Sequence, residues 1–348
     1  MYKNLRKLFQ LFLIAGIFLT LNSCLEDNIS PPLTGDLNPV AEMLYYFESL
    51  GDFANSDLAP ALIDPEEVYN NLNNFLLVDI RPESEFSSGH IENAVNVQTD
   101  TLFDFAEGNF NSNYQKIIII SKNGHSSAYF TCLLRLAGFN NVYTMDYGMA
   151  SWNEVFADEW LTKIGDYSGI SNFTNNSFPK NDFTALPDLT FDKPDDPLYK
   201  RIKSRVKKVS AEGFKFNMNY YQSLPNLNSK YPVCYGKSYL YNARKDYIFE
   251  GMGHPDNTRS YLDSPLYDFR SYRFLQTLPA TTEIVIYDYN GQQAACMTAY
   301  LRVLGYDVKM ILFGANQLFY SRMIDDPELN GFIFSSQKIR NYPLVPGD

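Results

Sequence analysis

Lys116-Ile117-Ile118-Ile119-Ile120-Ser121-Lys122-Asn123-Gly124-His125-Ser126-Ser127 decides how this chain is read. The four isoleucines behind Lys116 form a short run of β-branched residues, the pattern of a strand buried on both faces. A helix is expected from near Ala128, which leaves residues 121–127 as a loop with glycine at its centre. Strand, loop and helix together aim backbone N–H groups at one point beside a helix N-terminus, an arrangement suited to an anion or a low-pKa nucleophile. At the position where a nucleophile would sit, Ser121 carries a hydroxyl.

Working outward, the flanks carry an ordered set of signals. Leu76-Leu77-Val78-Asp79-Ile80-Arg81-Pro82 lies upstream, followed by Glu85-Phe86 and by Gly89-His90-Ile91-Glu92-Asn93-Ala94. Downstream come Leu136-Ala137-Gly138-Phe139, Val142-Tyr143 and Gly148 to Trp152. In this order, over residues 65–155, the chain resembles the rhodanese-like (single-domain sulfurtransferase) family: a D-x-R strand, a G-H-I turn, an active loop, a helix ending in L-x-x-x-G-F and a closing Gly to Trp segment. The resemblance implies a Cys at the start of the loop that carries sulfane sulfur as a persulfide, with basic side chains attracting an anionic donor. By position Ser121 stands at that Cys, Gly124 at the central glycine, and Ser126 where a basic residue is common. A serine oxygen cannot form the sulfur–sulfur bond of a persulfide, so ordinary sulfur transfer at this loop is chemically excluded. Lys122 and His125 keep some positive character, and anion binding by the loop amides of Ser121 to Ser127 stays open.

A weaker second copy follows. Tyr239-Leu240-Tyr241-Asn242-Ala243-Arg244 reads as the echo of the D-x-R strand, Gly253-His254-Pro255 as the echo of the G-H turn, and Glu283-Ile284-Val285-Ile286-Tyr287 as the next apolar strand. Asp288-Tyr289-Asn290-Gly291-Gln292-Gln293 is then the second loop, and Leu301-Arg302-Val303-Leu304-Gly305-Tyr306 pairs with Leu134 to Phe139 at the offset that relates Gly124 to Gly291. Asp288 takes the nucleophile position. Its carboxylate would accept the loop N–H groups, which should favour the ion and plug the site from within; alternatively Asp288 only caps the helix that follows.

The cysteines outside the N-terminal region, Cys132, Cys234 and Cys296, lie among apolar residues and read as small core side chains, with a Cys234–Cys296 disulfide as the alternative in an oxidising compartment. His90 and His254 sit in turns and read as hydrogen-bonding turn residues. Asp79, Arg81 and Glu85 read as an ion network at a strand end. Three histidines with no ligand spacing give no metal site, and no cofactor is expected.

Lys3, Arg6 and Lys7 precede an apolar run from Leu8 to Leu21 that is short for a membrane span, and Leu21-Asn22-Ser23-Cys24 closes it. This resembles a bacterial lipoprotein leader, implying cleavage before Cys24, its lipidation, and anchoring in the envelope of a Gram-negative bacterium, at the outer membrane on its periplasmic or surface face. The chain's formal charge is −11, and removing the leader's three cations takes it to about −14. That balance disfavours nucleic acid and anionic lipid as partners, leaves the lipid anchor as the only membrane contact, and repels anionic sulfur donors at long range. Aromatic residues make up 16% of the chain, enough to fill cores and a domain interface and still serve recognition.

The expected organisation is a leader over 1–23, a flexible tether over 24–39, a rhodanese-like domain over 40–157, a linker over 158–197 rich in Asn, Ser, Asp and Pro, and a degenerate rhodanese-like domain over 198–348. Trp160, Phe173, Phe178 and Phe183 are expected to pack the linker across both domains, and Lys200 to Lys208 to be solvated surface. The fold class is α/β, two domains each built on a mostly parallel sheet with helices on both faces. The functional expectation is a binding or scaffold module without sulfur transfer, with an envelope protein or a small oxyanion as partner. The alternative is an active enzyme, either a sulfurtransferase using Cys132 or Cys296, or an anion- or phosphate-handling enzyme built on Ser121.

Overall fold

Two five-stranded parallel sheets with the same strand order carry the chain. The computed structural model describes residues 38–49, 60–110, 113–167, 173–215, 217–218, 224–242, 253–262 and 268–346. The leader, Cys24, all but the last two tether residues, and Ala243-Arg244 lie outside the described residues. No helix among the described residues is long and apolar enough to cross a membrane.

The first half runs α1 (Pro39–Ser49), β1 (Leu62–Ile63), α2 (Pro65–Tyr69), β2 (Phe75–Asp79), α3 (Glu83–Ser87), β3 (Val95–Asn96), α4 (Leu102–Asn109), β4 (Lys116–Ile120), α5 (His125–Leu136), β5 (Val142–Met145), α6 (Met149–Trp152) and α7 (Asp158–Lys163). After β6 (Phe173–Thr174), the second half runs α8 (Leu198–Ala211), β7 (Asn217–Met218), β8 (Tyr231–Tyr235), α9 (Ser238–Tyr241), β9 (His254–Pro255), β10 (Arg259–Tyr261), α10 (Tyr272–Leu275), β11 (Ile284–Tyr287), α11 (Gln292–Val303), β12 (Val308–Ile311), α12 (Ala315–Leu318) and α13 (Tyr320–Asp325). The sheets read β1-β5-β4-β2-β3 and β7-β12-β11-β8-β10. Strand β4 stands in the middle of its sheet with Ile117 to Ile120 fully buried, as a β-branched run between two helical layers requires.

The register corrects the reading of the second copy. Asp79 pairs with Ile120 at the end of β2, and Cys234 pairs with Tyr287 at the equivalent point of β8. The D-x-R strand is thus matched by Val233 to Tyr235, while Tyr239 to Tyr241 lies in helix α9. Cys234 takes the place of Asp79, and its side chain enters the apolar cluster on one face of the second sheet while Cys296 lies in the cluster on the other. That separation excludes the Cys234–Cys296 disulfide; Cys132, Cys234 and Cys296 are all free and buried.

The halves meet along α5 and α11, which pack against each other, with α8 laid over both. Residues Lys200 to Lys208 are therefore only half solvated: Ile202 and Val206 are buried, and Lys203 and Lys207 pair with Glu107 and Asp104 of α4. The C-terminal segment also crosses over. Val345 bridges His90, and Trp152 Nε1 donates to Pro343 O at 2.9 Å, so the end of the expected 198–348 domain packs on the first half. Of the linker aromatics only Trp160 spans the halves, meeting Tyr147, Phe313 and Phe334. Phe173 and Phe178 stay with second-half residues, and Phe183 is 57% exposed.

Candidate functional site

Helix α5 begins at His125, three residues earlier than the sequence suggested, because Gly124 turns the chain at φ 86° and Ser127 already belongs to the first helical turn. Glycine suits Gly124 because of its positive φ, and a Cβ there would stand 2.8 Å from Gln292 Nε2 and push that side chain aside. Ser121 is 2% exposed. Its Oγ accepts the N–H groups of Gly124 and Ser127, each at 3.2 Å, and donates to Ser127 Oγ at 3.0 Å. Thr144 Oγ1 donates to Ser127 Oγ at 2.6 Å, and Ser127 Oγ donates to Gly124 O. The convergent amides are thus satisfied by the protein's own hydroxyl.

The second loop repeats the geometry with a stronger acceptor. Gly291 has φ 90°, and Asp288 accepts Gly291 N–H on Oδ1 and Gln293 N–H on Oδ2. The carboxylate fills its own amide ring, but the ion is not favoured on balance: full burial pushes the Asp288 carboxyl up to about 6, outweighing the amides that pull the other way. Tyr289 stacks on Phe332, and its hydroxyl accepts Lys237 N–H at 2.9 Å. Asn290 Oδ1 accepts Gln292 N–H at 3.0 Å.

The loops face each other, and each is covered by the first helical residue of the opposite half. Gln292 Oε1 accepts Tyr147 N–H at 3.1 Å, beside Gly124. His125 Nε2 donates to Asn290 O at 2.9 Å, beside Gly291. His125 is fully buried between Trp160 and Phe313, and that burial lowers its pKa to about 4, so the ring is neutral near pH 7. It adds no positive charge to an anion site. Of the other loop residues, Lys122 pairs with Glu159 at 3.7 Å, Asn123 O accepts Trp160 Nε1–H and its Oδ1 accepts His125 N–H, and Ser126 is half-buried.

A second turn closes each loop from beside β5 or β12. Tyr147-Gly148 and Phe313-Gly314 all have positive φ, and the N–H groups of Met149 and Ala315 donate to Ser121 O and Asp288 O, both at 2.9 Å. Thr144, Tyr147, Trp160 and Phe313 were not singled out as site residues from the sequence. Aromatic abundance hinted at the last three, and no signal in the sequence marked Thr144, whose hydroxyl reaches Ser127 from β5.

The ion network is smaller than expected. Arg81 Nη2 meets Asp79 at 2.7 Å, both buried, and also donates to Gly89 O, while Glu85 is no part of the pair. In the second half, where Cys234 replaces Asp79, Arg322 of α13 donates to Gly253 O at 2.7 Å and to the carbonyls of Tyr239, Leu240 and Asn242. His90 and His254 lie within hydrogen-bond distance of backbone carbonyls. Among the described residues no group of His, Cys, Asp and Glu could hold a metal ion.

A rhodanese-like domain model matches residues 64–155. Thiosulfate sulfurtransferase GlpE of Shewanella oneidensis is 32% identical over 81 residues, 23% of this chain and 78% of that protein. GlpE of Pseudomonas savastanoi is 29% identical over 85 residues, covering 24% and 77%. The chain belongs to the rhodanese-like family. Among solved structures, the 3-mercaptopyruvate sulfotransferase SseA of Escherichia coli covers 72% of this chain and 97% of its own at 12% identity and a TM-score of 0.25. A thiosulfate sulfurtransferase of Pseudomonas aeruginosa covers 79% of this chain and 46% of its own, at 14% and 0.27.

Proposed function

We propose that this chain is a tandem rhodanese-like protein without sulfur-transfer turnover, lipid-anchored through Cys24 in a Gram-negative envelope, that works as a binding or scaffold module. The observation that carries the reading is the occupied amide ring. A serine hydroxyl in one half and a carboxylate in the other take the N–H groups that would hold a persulfide, and neither can carry sulfur. Gln292 and His125 cover these rings from the opposite half, so a small oxyanion could reach the first loop only by displacing Gln292. The anchoring part rests on the Leu21 to Cys24 motif alone.

The relatives' name, thiosulfate sulfurtransferase, supplies the competing reading. It needs a thiol at a loop, whereas Cys132, Cys234 and Cys296 all lie in apolar clusters. The test is sulfur transfer from thiosulfate to cyanide by the full chain, with a Cys-containing relative as control. Background rates are expected, and turnover near that of the control refutes the proposal. Ser121→Cys refines it: a persulfide detected by mass on this variant would show that the first loop admits a donor anion despite Gln292, removing the sealed-loop part while inactivity of the native chain stands. Calorimetric titration with sulfate and phosphate decides the oxyanion form of the reading, since heat at low millimolar ligand that vanishes in Gly124→Ala would favour it.

A further inference from the structure

Helix α8 gathers positive charge in an acidic chain. Lys200, Arg201, Lys203, Arg205, Lys207 and Lys208 are six cations within nine residues, while the whole chain carries −11. Helical spacing sorts them into two stripes. Lys203 and Lys207 turn toward α4 and are paired there. Lys200, Arg201, Arg205 and Lys208 line a cleft of about 130 Å³, which residues 190–196 line from their side and supply with Lys193. Arg201 is paired with Glu42 at 2.8 Å, and Lys208 approaches Asp192 at 3.5 Å with both side chains more than half exposed. Arg205 donates to the carbonyls of Arg302 and Val303, which cancel none of its formal charge. Among the described residues Lys193 and Lys200 enter no ion pair. Five cations thus meet three carboxylates, those of Glu42, Asp192 and Asp196, and two positive charges are left in excess.

Two details set this cleft apart from a charged surface. The Arg201 guanidinium is held by Glu42 and lies 4.9 Å from the Phe191 ring centroid, yet its Nε is buried with no hydrogen-bond partner among the described residues. A buried N–H without an acceptor is costly, and an acceptor from outside the chain would relieve that cost. The N-terminal end of α8 has no acidic residue in its first turn and no side-chain cap, so its partial positive charge adds to that of Lys200 and Arg201. We propose that this cleft binds a phosphate monoester group. At neutral pH such a group carries about two negative charges, which matches the excess, and its oxygens accept from guanidinium, ammonium and hydroxyl donors alike. Arg201 is the anchored donor, Lys193, Lys200 and Lys208 are the mobile ones, and Ser204 adds a hydroxyl. Phe191 offers an apolar wall to the carbon group of the ester. The source is a soluble ester or the headgroup of a membrane lipid, and the group held in the cleft is the same. The cleft shares no lining residue with either loop, so binding there does not depend on whether the chain turns over sulfur.

Two arms test this and separate the sources. In the first, the full chain is titrated calorimetrically with glycerol phosphate. In the second, it is sedimented with phosphatidylcholine vesicles that contain or lack phosphatidic acid. Saturable binding in the millimolar range or below is expected in at least one arm: to the soluble ester if the source is free, or to phosphatidic acid vesicles above plain ones if it is a headgroup. Lys200→Gln removes an exposed cation that has no ion pair among the described residues, so folding is not at stake, and should weaken that binding about tenfold. Lys203→Gln makes the same change of charge on the α4 side of the helix and should leave it unchanged. Equal losses in the two variants would show attraction to the helix's charge alone and overturn the proposal, as would the absence of binding in both arms. Binding that survives Lys200→Gln but disappears in Gly124→Ala belongs to the first loop and likewise overturns it.

Discussion

Replacing Asp288 by Asn separates the plug of the second loop from its charge. Burial raises the folded-state carboxyl from 3.8 to about 6, so the native chain holds this proton more tightly than the unfolded chain does. The stability it contributes is complete below the unfolded value and is lost as pH rises through the folded one. Linkage with these two values gives a decline of about 1 kcal/mol between about pH 5 and about pH 7, within a total near 3 kcal/mol across the whole window. Asp146, also pushed up to about 6 by burial, adds a slope of the same sign. His125 opposes both: lowered to about 4, it costs stability as pH falls below its unfolded value of 6.5. The native curve alone is therefore ambiguous, and the informative quantity is the difference between native and Asp288→Asn curves. Asn keeps an acceptor for Gly291 N–H but turns an amide toward Gln293 N–H, a penalty of roughly 1–2 kcal/mol that does not vary with pH. Urea unfolding of both chains at half-unit pH steps measures the difference. It should widen toward acid and flatten above about pH 7; parallel curves would refute the claim that Asp288 is a desolvated, titrating plug.

Two further substitutions probe what holds the loops. Gly148→Ala would place a Cβ 2.2 Å from Ser121 O and 2.6 Å from Gly124 N at φ 60°, so a loss on the order of 3 kcal/mol or more is expected in thermal unfolding. Gly213→Ala, also at positive φ but with only Lys215 nearby at 3.9 Å, should cost about 1 kcal/mol and serves as the control. Arg322→Lys cannot reproduce a fork that serves four carbonyls, and a loss of roughly 2–3 kcal/mol in chemical denaturation is expected; a loss within error would show that these bonds are readily replaced by water.

The first half was legible because its signals are local: an isoleucine strand, a glycine-centred loop and a D-x-R strand end each declare themselves within a few residues. The first strand of the second half was misplaced for a physical reason. Tyr231 to Tyr235 contains Pro232, which argues against a strand in the middle of a sheet. Pro232 is tolerated because β10 begins pairing with β8 only at Val233. The alternating Tyr239-Leu240-Tyr241 then looked like the better strand, although it forms one helical turn. The seam itself was out of reach, because the contacts of Gln292 with Tyr147 and of His125 with Asn290 join residues about 150 positions apart with no shared pattern.

Both halves keep the same loop geometry while bonding its convergent amides from within. Each loop presents backbone N–H groups in a buried place, and such groups must be paired whether or not a ligand comes. Ser121 and Asp288 pair them internally without disturbing the glycine turns that start α5 and α11. With the rings satisfied, the loop mouths become apolar contact surface, and Trp160, Phe313 and Phe334 close over them. The D-x-R site follows the same logic: the Gly253 carbonyl keeps a guanidinium partner although Asp79 has become Cys234, because Arg322 arrives from a different helix. What persists in the second half is the need to satisfy particular backbone groups, and different side chains meet it. A binding role for this chain would therefore use surfaces away from the loops, whose amides and openings are taken up in joining the halves.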